Sequence, residues 1–120
     1  MAQWEVEYTD EFDGWWNDLD DSAQASIDAH VGLLEEHGPN LGYPYSSDIK
    51  DSRHGNMREL RVKSKGRPYR IFYAFDPRRC AILLIGGDKT GLKRFYEQMI
   101  PIAERLYDQH LREIGGNDHG

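Results

Sequence analysis

Apolar and polar residues alternate near the start of the chain and again through its middle, which is the pattern of half-buried β-strands. Residues 4–8 alternate apolar side chains with glutamates and predict a first strand. Turn-forming residues at Lys65-Gly66 and at 76–79 divide the later region into short segments, as expected for an antiparallel meander. The predicted strands of this meander are 57–64, 69–75 and 80–86.

Helical spacing of apolar residues predicts three helices around these strands. The first begins at the Thr9-Asp10 cap and ends near residue 16, and the second runs from residue 20 to about 37, where Gly38-Pro39 stops it. The third spans 92 to about 112, and Pro101 should kink or divide it because proline lacks a backbone donor. Residues 38–55 are expected to form an ordered surface loop.

The order β-α-α-β-β-β-α predicts an α+β fold with helices packed on one face of a twisted, mainly antiparallel sheet. A single domain is expected over residues 1–114. Residues 115–120, rich in glycine and polar side chains, are expected to be a disordered tail.

The composition narrows the class of protein. A chain of 120 residues fits one domain, and no apolar run approaches the roughly 20 residues that span a bilayer. The start of the sequence lacks the basic and apolar pattern of a signal peptide, so a cytoplasmic protein without a membrane partner is expected. Cys80 is the single cysteine, which argues against an internal disulfide and a multi-thiolate metal site.

Charge is distributed very unevenly, although the net charge is only −6. Residues 1–52 contain 13 acidic residues and one basic residue, whereas residues 53–94 contain 12 basic and three acidic residues. Residues 95–120 are again acidic, with five acids and two bases. Such asymmetry can indicate contact with nucleic acid, and the plainer alternative is a solvated, charged hairpin.

The period of two along a strand places Glu59, Arg61 and Lys63 on one face of the first meander strand. Arg70 on the next strand can share that face. Because neighbouring strands bring such side chains within about 5 Å, the cations would repel one another unless an anion lies between them, and Glu59 neutralises only part of the charge. Phosphate is the natural candidate, since guanidinium groups match its oxygens in pairs.

These residues also carry a family resemblance. The sequence MRELRV at 57–62, followed by PYRIFY at 68–73, resembles the hairpin of the RelE/ParE toxin superfamily. The sequences GDKTG at 87–91 and KRFYEQMIPIA at 93–103 are similar to the HigB-like branch of type II toxin–antitoxin systems. The resemblance covers about residues 4–112, and the two parts together are more specific than either alone.

The resemblance implies a RelE-like fold and a toxin that cleaves messenger RNA on the ribosome, without a metal or other cofactor. It also implies neutralisation by a cognate HigA-like antitoxin with a helix-turn-helix domain. Operator DNA would then be reached only indirectly, through that antitoxin.

By the same resemblance, the catalytic residues would be Arg61, Lys63, Arg70 and Tyr96. A further arginine of the family falls at Thr90, where a neighbouring lysine would have to substitute for it. His54 is the candidate if the chain follows those HigB members that use histidine. The candidate RNA-binding residues are Arg67, Lys89, Lys93, Arg94 and His54.

The chemistry of RNA cleavage suggests roles for these groups. Arginine cannot act as a base near neutral pH, so Arg61 and Arg70 would stabilise the charge of the transition state. Lys63 is the candidate base because neighbouring cations favour the loss of its proton. Tyr96 would orient the substrate, stack on a base or exchange a proton.

Two other functions fit the same residues. One is a ParE-like protein that inhibits DNA gyrase without nuclease chemistry, and the other is a degenerate domain that only binds an antitoxin. An arrest of translation rather than DNA damage on expression would favour the ribonuclease.

Overall fold

The computed structural model describes residues 3–116 of the chain. They form five β-strands, three α-helices and a short 3-10 turn at Gly38–Asn40. The chain follows the predicted order with one strand added. The elements are β1 (Val6–Tyr8), α1 (Asp10–Asn17), α2 (Asp21–His37), β2 (Ser46–Asp48), β3 (Arg58–Ser64), β4 (Arg67–Phe75), β5 (Ala81–Asp88) and α3 (Phe95–Gly116).

The five strands make one sheet in the order β1-β5-β4-β3-β2. β1 runs parallel to β5, and the other neighbouring pairs are antiparallel, which confirms the predicted meander of β3, β4 and β5. The β3–β4 hairpin places Arg61 directly opposite Arg70.

The α+β fold is confirmed, but the helices do not lie on one face as the sequence suggested. α1 and α2 cover one face of the sheet, where Ile27, Leu60 and Ile71 are buried together. α3 covers the other face, where Phe72 and Leu106 belong to a second apolar core. The physical reason is the continuous apolar composition of β4 and β5, whose side chains require cover on both faces.

Other details of the elements also differ from the prediction. β2 lies inside the predicted surface loop, and α3 begins at Phe95 rather than at residue 92. α3 is not divided at Pro101 but continues through it. Residues 115 and 116 of the expected disordered tail belong to α3, whereas residues 1, 2 and 117–120 lie outside the described part of the chain.

Side-chain capping explains where α1 and α2 begin. The Thr9 side chain accepts a hydrogen bond from the backbone N–H of Phe12, and Asp20 does the same for Ala23. α2 ends at Gly38, whose φ of +57° suits a residue without a side chain. None of the helices in residues 3–116 is both long enough and apolar enough to cross a membrane.

Candidate active site

Arg61 and Arg70 occupy facing positions on β3 and β4, on the side of the sheet that α3 covers. The Arg70 side chain is only 10% exposed, whereas Arg61 is partly open to solvent. Their register follows from the two-residue turn of the hairpin, which fixes the pairing of the strands. The structure therefore brings together the two arginines that the sequence placed on one face.

Glu59 lies beside both arginines and is 4% exposed. Its Oε2 accepts hydrogen bonds from Arg61 Nη1 at 3.3 Å and from Ser47 Oγ at 2.9 Å. Its Oε1 lies 3.7 Å from Arg70 Nε and accepts a hydrogen bond from Tyr96 Oη at 2.7 Å. One carboxylate thus serves two guanidinium groups, and a net positive charge remains at the site.

The packing of the first residues of α3 against β5 places Tyr96 next to Glu59. Gly87, which lies opposite Arg70 in the sheet, has no side chain, and the Phe95 ring packs over it. An added Cβ at Gly87 would lie 2.9 Å from that ring, so glycine permits this close approach. Burial, together with the hydrogen bond to the Glu59 carboxylate, raises the pKa of Tyr96. Its phenol therefore remains a hydrogen-bond donor across the neutral range.

A cleft of about 330 Å³ opens beside the two arginines. Lys63 lies at this cleft with an exposed side chain, opposite Pro68 in the hairpin. Within residues 3–116, Arg70 Nε is a buried nitrogen without a hydrogen-bond partner, although Arg70 Nη1 donates to the Tyr69 carbonyl oxygen at 3.0 Å. The Nε nitrogen faces the Glu59 carboxylate at 3.7 Å and is not open to the cleft. The excess of cationic side chains lining the cleft favours an anionic ligand.

The predicted RNA-binding residues fall into different places. Lys89 lies over the Tyr96 ring, with its Nζ 5.6 Å from the ring centroid, so it is next to the cluster. Arg67 is at the hairpin turn and pairs with Asp88 at 2.9 Å. Lys93 and Arg94 are exposed just before α3. The Thr90 hydroxyl donates to Asp88 at 2.6 Å and supplies no positive charge in place of the family arginine.

His54 does not join the cleft. Its Nε2 lies 2.8 Å from Asp108 on α3, where Arg53 also contacts Asp108. Asp108 is twelve residues beyond Tyr96, which is about 18 Å along a helix. The hydrogen bonds from Arg53 and His54 lower the pKa of Asp108 to about 2. The His54 side chain therefore connects the loop before β3 to α3.

One group in the described part of the chain has three potential metal ligands within 4.8 Å of one another: Glu5, Glu7 and Cys80. Burial raises the pKa of the Cys80 thiol to about 11, so the thiol stays protonated at neutral pH and is a poor ligand. Glu7 also pairs with Arg78 at 2.8 Å. This group lies away from the cleft, at β1 and the start of β5.

Sequence reasoning missed two features of the site. Tyr43, in the loop before β2, lies at the cleft, and its ring centroid is 5.3 Å from the Arg61 guanidinium carbon. Ser47 on β2 helps to hold Glu59. No local sequence pattern identifies either residue as part of the site. For Tyr43, the nearest signal is an aromatic residue beside a proline in the loop before a basic hairpin.

The profile of the family described as "Phage derived protein Gp49-like (DUF891)" matches residues 14–108. A Mycobacterium tuberculosis protein named "Putative toxin HigB3" is 44% identical over 107 residues, which are 88% of this chain and 89% of that protein. "Putative toxin HigB2" of the same organism is 41% identical over 102 residues, which are 83% of this chain but 51% of that protein.

Two solved structures share the fold at low sequence identity. A mutant of the Escherichia coli toxin RelE in the free state aligns with a TM-score of 0.58 and 12% identity, over 81% of this chain and 94% of that one. The RelE–RelB complex of Pyrococcus horikoshii aligns with a TM-score of 0.56 and 13% identity, over 76% of this chain and 99% of that chain.

The fold is therefore the one that these two solved toxin structures share. The chain belongs to the Gp49-like family and is a HigB-like toxin of a toxin–antitoxin system.

Proposed function

We propose that this toxin is an endoribonuclease that cuts messenger RNA at the cleft beside Arg61 and Arg70. The observation that supports this most directly is the pair of facing arginines, which share one buried carboxylate and retain a net positive charge. Two guanidinium groups on adjacent strands match the oxygens of a phosphodiester.

In the proposed reaction the 2′-oxygen of a ribose attacks the adjacent phosphorus. The bond between phosphorus and the 2′-oxygen forms while the bond to the 5′-oxygen breaks, and a 2′,3′-cyclic phosphate is left on the upstream fragment. Negative charge accumulates on the phosphoryl oxygens in the transition state. Arg61 and Arg70 would stabilise this charge, because their positions are fixed before the substrate arrives.

In this scheme the amine of Lys63 takes the proton of the 2′-hydroxyl, and the 5′-oxygen takes a proton from water on the open side of the cleft. Lys63 is exposed beside the cleft. Glu59 is less suited to act as the base, because Ser47, Arg61 and Tyr96 already donate hydrogen bonds to its carboxylate. We therefore assign Glu59 and Tyr96 as positioning residues that hold the arginines.

The same proposal includes the ribosome, a HigA-like antitoxin and a cytoplasmic location. An acidic chain with a small basic cleft should bind free RNA weakly, so the ribosome would supply the remaining recognition. The partnership with an antitoxin is inferred from the RelE–RelB complex, whose RelE chain has the same fold. The cytoplasm is where messenger RNA and ribosomes meet.

Growth and translation assays test the proposal. Arg70→Ala should no longer inhibit growth when it is expressed without antitoxin, and ribosome-bound messenger RNA should stay intact. Because Arg70 pairs with the buried Glu59, circular dichroism of the purified variant must show that it is folded. Arg112→Ala, an exposed arginine near the end of α3, is the matched control and should remain toxic. Full toxicity of Arg70→Ala would reject the site.

The same cultures distinguish the ribonuclease from the two alternative functions. DNA damage with continued translation would favour gyrase inhibition, and a harmless wild-type chain would favour a domain that only binds an antitoxin.

A further inference from the structure

Tyr43 is an exposed aromatic residue that lies at the cleft beside the arginines. The residue is 77% exposed, and it lines the cleft together with Pro44, Arg61, Pro68 and Arg70. The same cleft contains three cationic side chains. The open face of the tyrosine ring is therefore available to a ligand that also carries negative charge.

Backbone hydrogen bonds define the course of the loop on both sides of Tyr43. The backbone N–H groups of Tyr45 and Ser46 both donate to the Gly42 carbonyl oxygen, at 3.0 and 3.1 Å, and close a tight turn around Tyr43. The Tyr45 carbonyl oxygen then accepts a hydrogen bond from the Arg61 N–H at 2.9 Å. The turn is therefore tied to β3 at the arginine that is expected to bind phosphate.

We infer that Tyr43 and Pro44 form a subsite for one unpaired nucleobase, next to the phosphate held by Arg61 and Arg70. The inference rests on the proposed function for its substrate class. Every nucleobase presents a flat face that stacks on an aromatic ring, and a neighbouring guanidinium binds the phosphate of the same nucleotide. Only an unpaired, splayed base can reach the ring, so the subsite selects single-stranded RNA.

A simpler role for Tyr43 would be to orient Arg61 through their cation–π contact. The two roles differ in what they require of the ligand. Orientation of Arg61 would matter for any RNA backbone, whereas a base subsite would matter only when the nucleotide carries a base.

The experiment measures binding of short single-stranded RNAs at low ionic strength. A set of hexanucleotides carries one 2-aminopurine, placed at each position in turn, and a matched set carries an abasic site there. Wild-type protein should quench the fluorescence of 2-aminopurine at one position. Tyr43→Leu should abolish the quenching and weaken binding about tenfold, whereas Tyr43→Phe should keep both.

The abasic RNA at that position decides between the two roles. Tyr43→Leu should bind it as well as wild type does, because no base remains to stack. Equal weakening for the abasic and the complete RNA would overturn the inference, and so would the lack of quenching by wild type. Tyr8→Leu, at an exposed tyrosine on the opposite edge strand β1, is the control and should behave as wild type.

The base subsite and the nuclease activity can each fail independently of the other. If Arg70→Ala loses toxicity but Tyr43→Leu shows no base-dependent effect, the base subsite fails and the nuclease stands. If Tyr43→Leu shows the base-dependent effect while Arg70→Ala remains toxic, the base subsite stands and the proposed catalytic site fails.

Discussion

Glu59 is the counter-charge of both arginines that line the cleft. A carboxylate that is 4% exposed is stable only when it is paired and hydrogen-bonded, and Glu59 meets this condition through two arginines, a serine and a tyrosine. The arginines depend on Glu59 in turn, since without its carboxylate Arg61 and Arg70 would face each other with no counter-charge. The residue thus links the stability of the fold to the charge of the cleft.

Glu59→Gln should therefore destabilise the protein by about 3 kcal/mol, because it leaves two partly buried guanidinium groups without their carboxylate. Urea denaturation would measure the loss, and phosphate in the buffer should recover part of it by taking the place of the missing charge. Glu97→Gln, at an exposed residue 3.8 Å from Arg94, should change stability by less than about 0.5 kcal/mol. An unchanged urea midpoint for Glu59→Gln would contradict this account.

The turn between β4 and β5 joins elements that are distant in the sequence. Asp76 accepts hydrogen bonds from His110 on α3 at 2.8 Å and from the Arg78 side chain at 2.7 and 2.9 Å. Arg78 extends the network to Glu7 on β1. One buried carboxylate thereby ties α3, the hairpin turn and the edge strand together.

The acid stability of the protein should depend on this turn. Burial raises the pKa of Asp76, but the hydrogen bonds from His110, Arg78 and the Cys80 N–H outweigh it, so the net pKa lies below its ordinary value. A lowered pKa stabilises the fold above about pH 4, and the contribution is lost as the pH falls through the pKa of the folded state.

Asp76→Asn should therefore cost about 2 kcal/mol at pH 7, and its remaining stability should depend less on pH below about 4. Thermal or urea unfolding at several pH values measures both effects. Asp28→Asn, at an exposed position on α2, serves as the control and should follow wild type. Parallel pH curves for Asp76→Asn and wild type would show that the carboxylate does not contribute in this way.

Across the whole molecule, the basic residues are concentrated in the three central strands, whereas the helices are acidic. The basic region 53–94 supplies β3, β4 and β5 and the cleft, whereas the acidic region 1–52 supplies α1 and α2 on the face opposite α3. An RNA strand would be attracted to the cleft and repelled from the helical layer.

Binding to free RNA should therefore be weak and dependent on salt. If Arg61 and Arg70 neutralise one phosphate, log K should fall with log salt with a slope of about −0.7, and Arg70→Ala should reduce the magnitude of this slope. Fluorescence anisotropy with a short RNA at several salt concentrations gives the slope. Tight binding that does not respond to salt would show that the cleft is not the binding surface.

The sequence predicted the parts of the site that depend on strand geometry. A period of two and a tight turn are enough to place Arg61, Lys63 and Arg70 on one face. The placement of helices on both faces was predictable in principle, because β5 is apolar over most of its length. Tyr96 could be found only through the family resemblance, since its contact with Glu59 depends on how α3 packs.

Loops were harder to predict because tertiary contacts determine their course. The position of Tyr43 follows from the hydrogen bond between the Tyr45 carbonyl oxygen and the Arg61 N–H, which no local pattern reveals. His54 shows the opposite error: it is near the basic hairpin in sequence, but its contact with Asp108 holds it away from the cleft.

The sheet ends on both sides in very short strands, β1 and β2, of three residues each. Few unpaired backbone groups are therefore available for another chain to extend the sheet, and this protects a free toxin from edge-to-edge aggregation. A partner chain that added a strand there would gain only a few backbone hydrogen bonds, so most of its affinity would have to come from side-chain contacts.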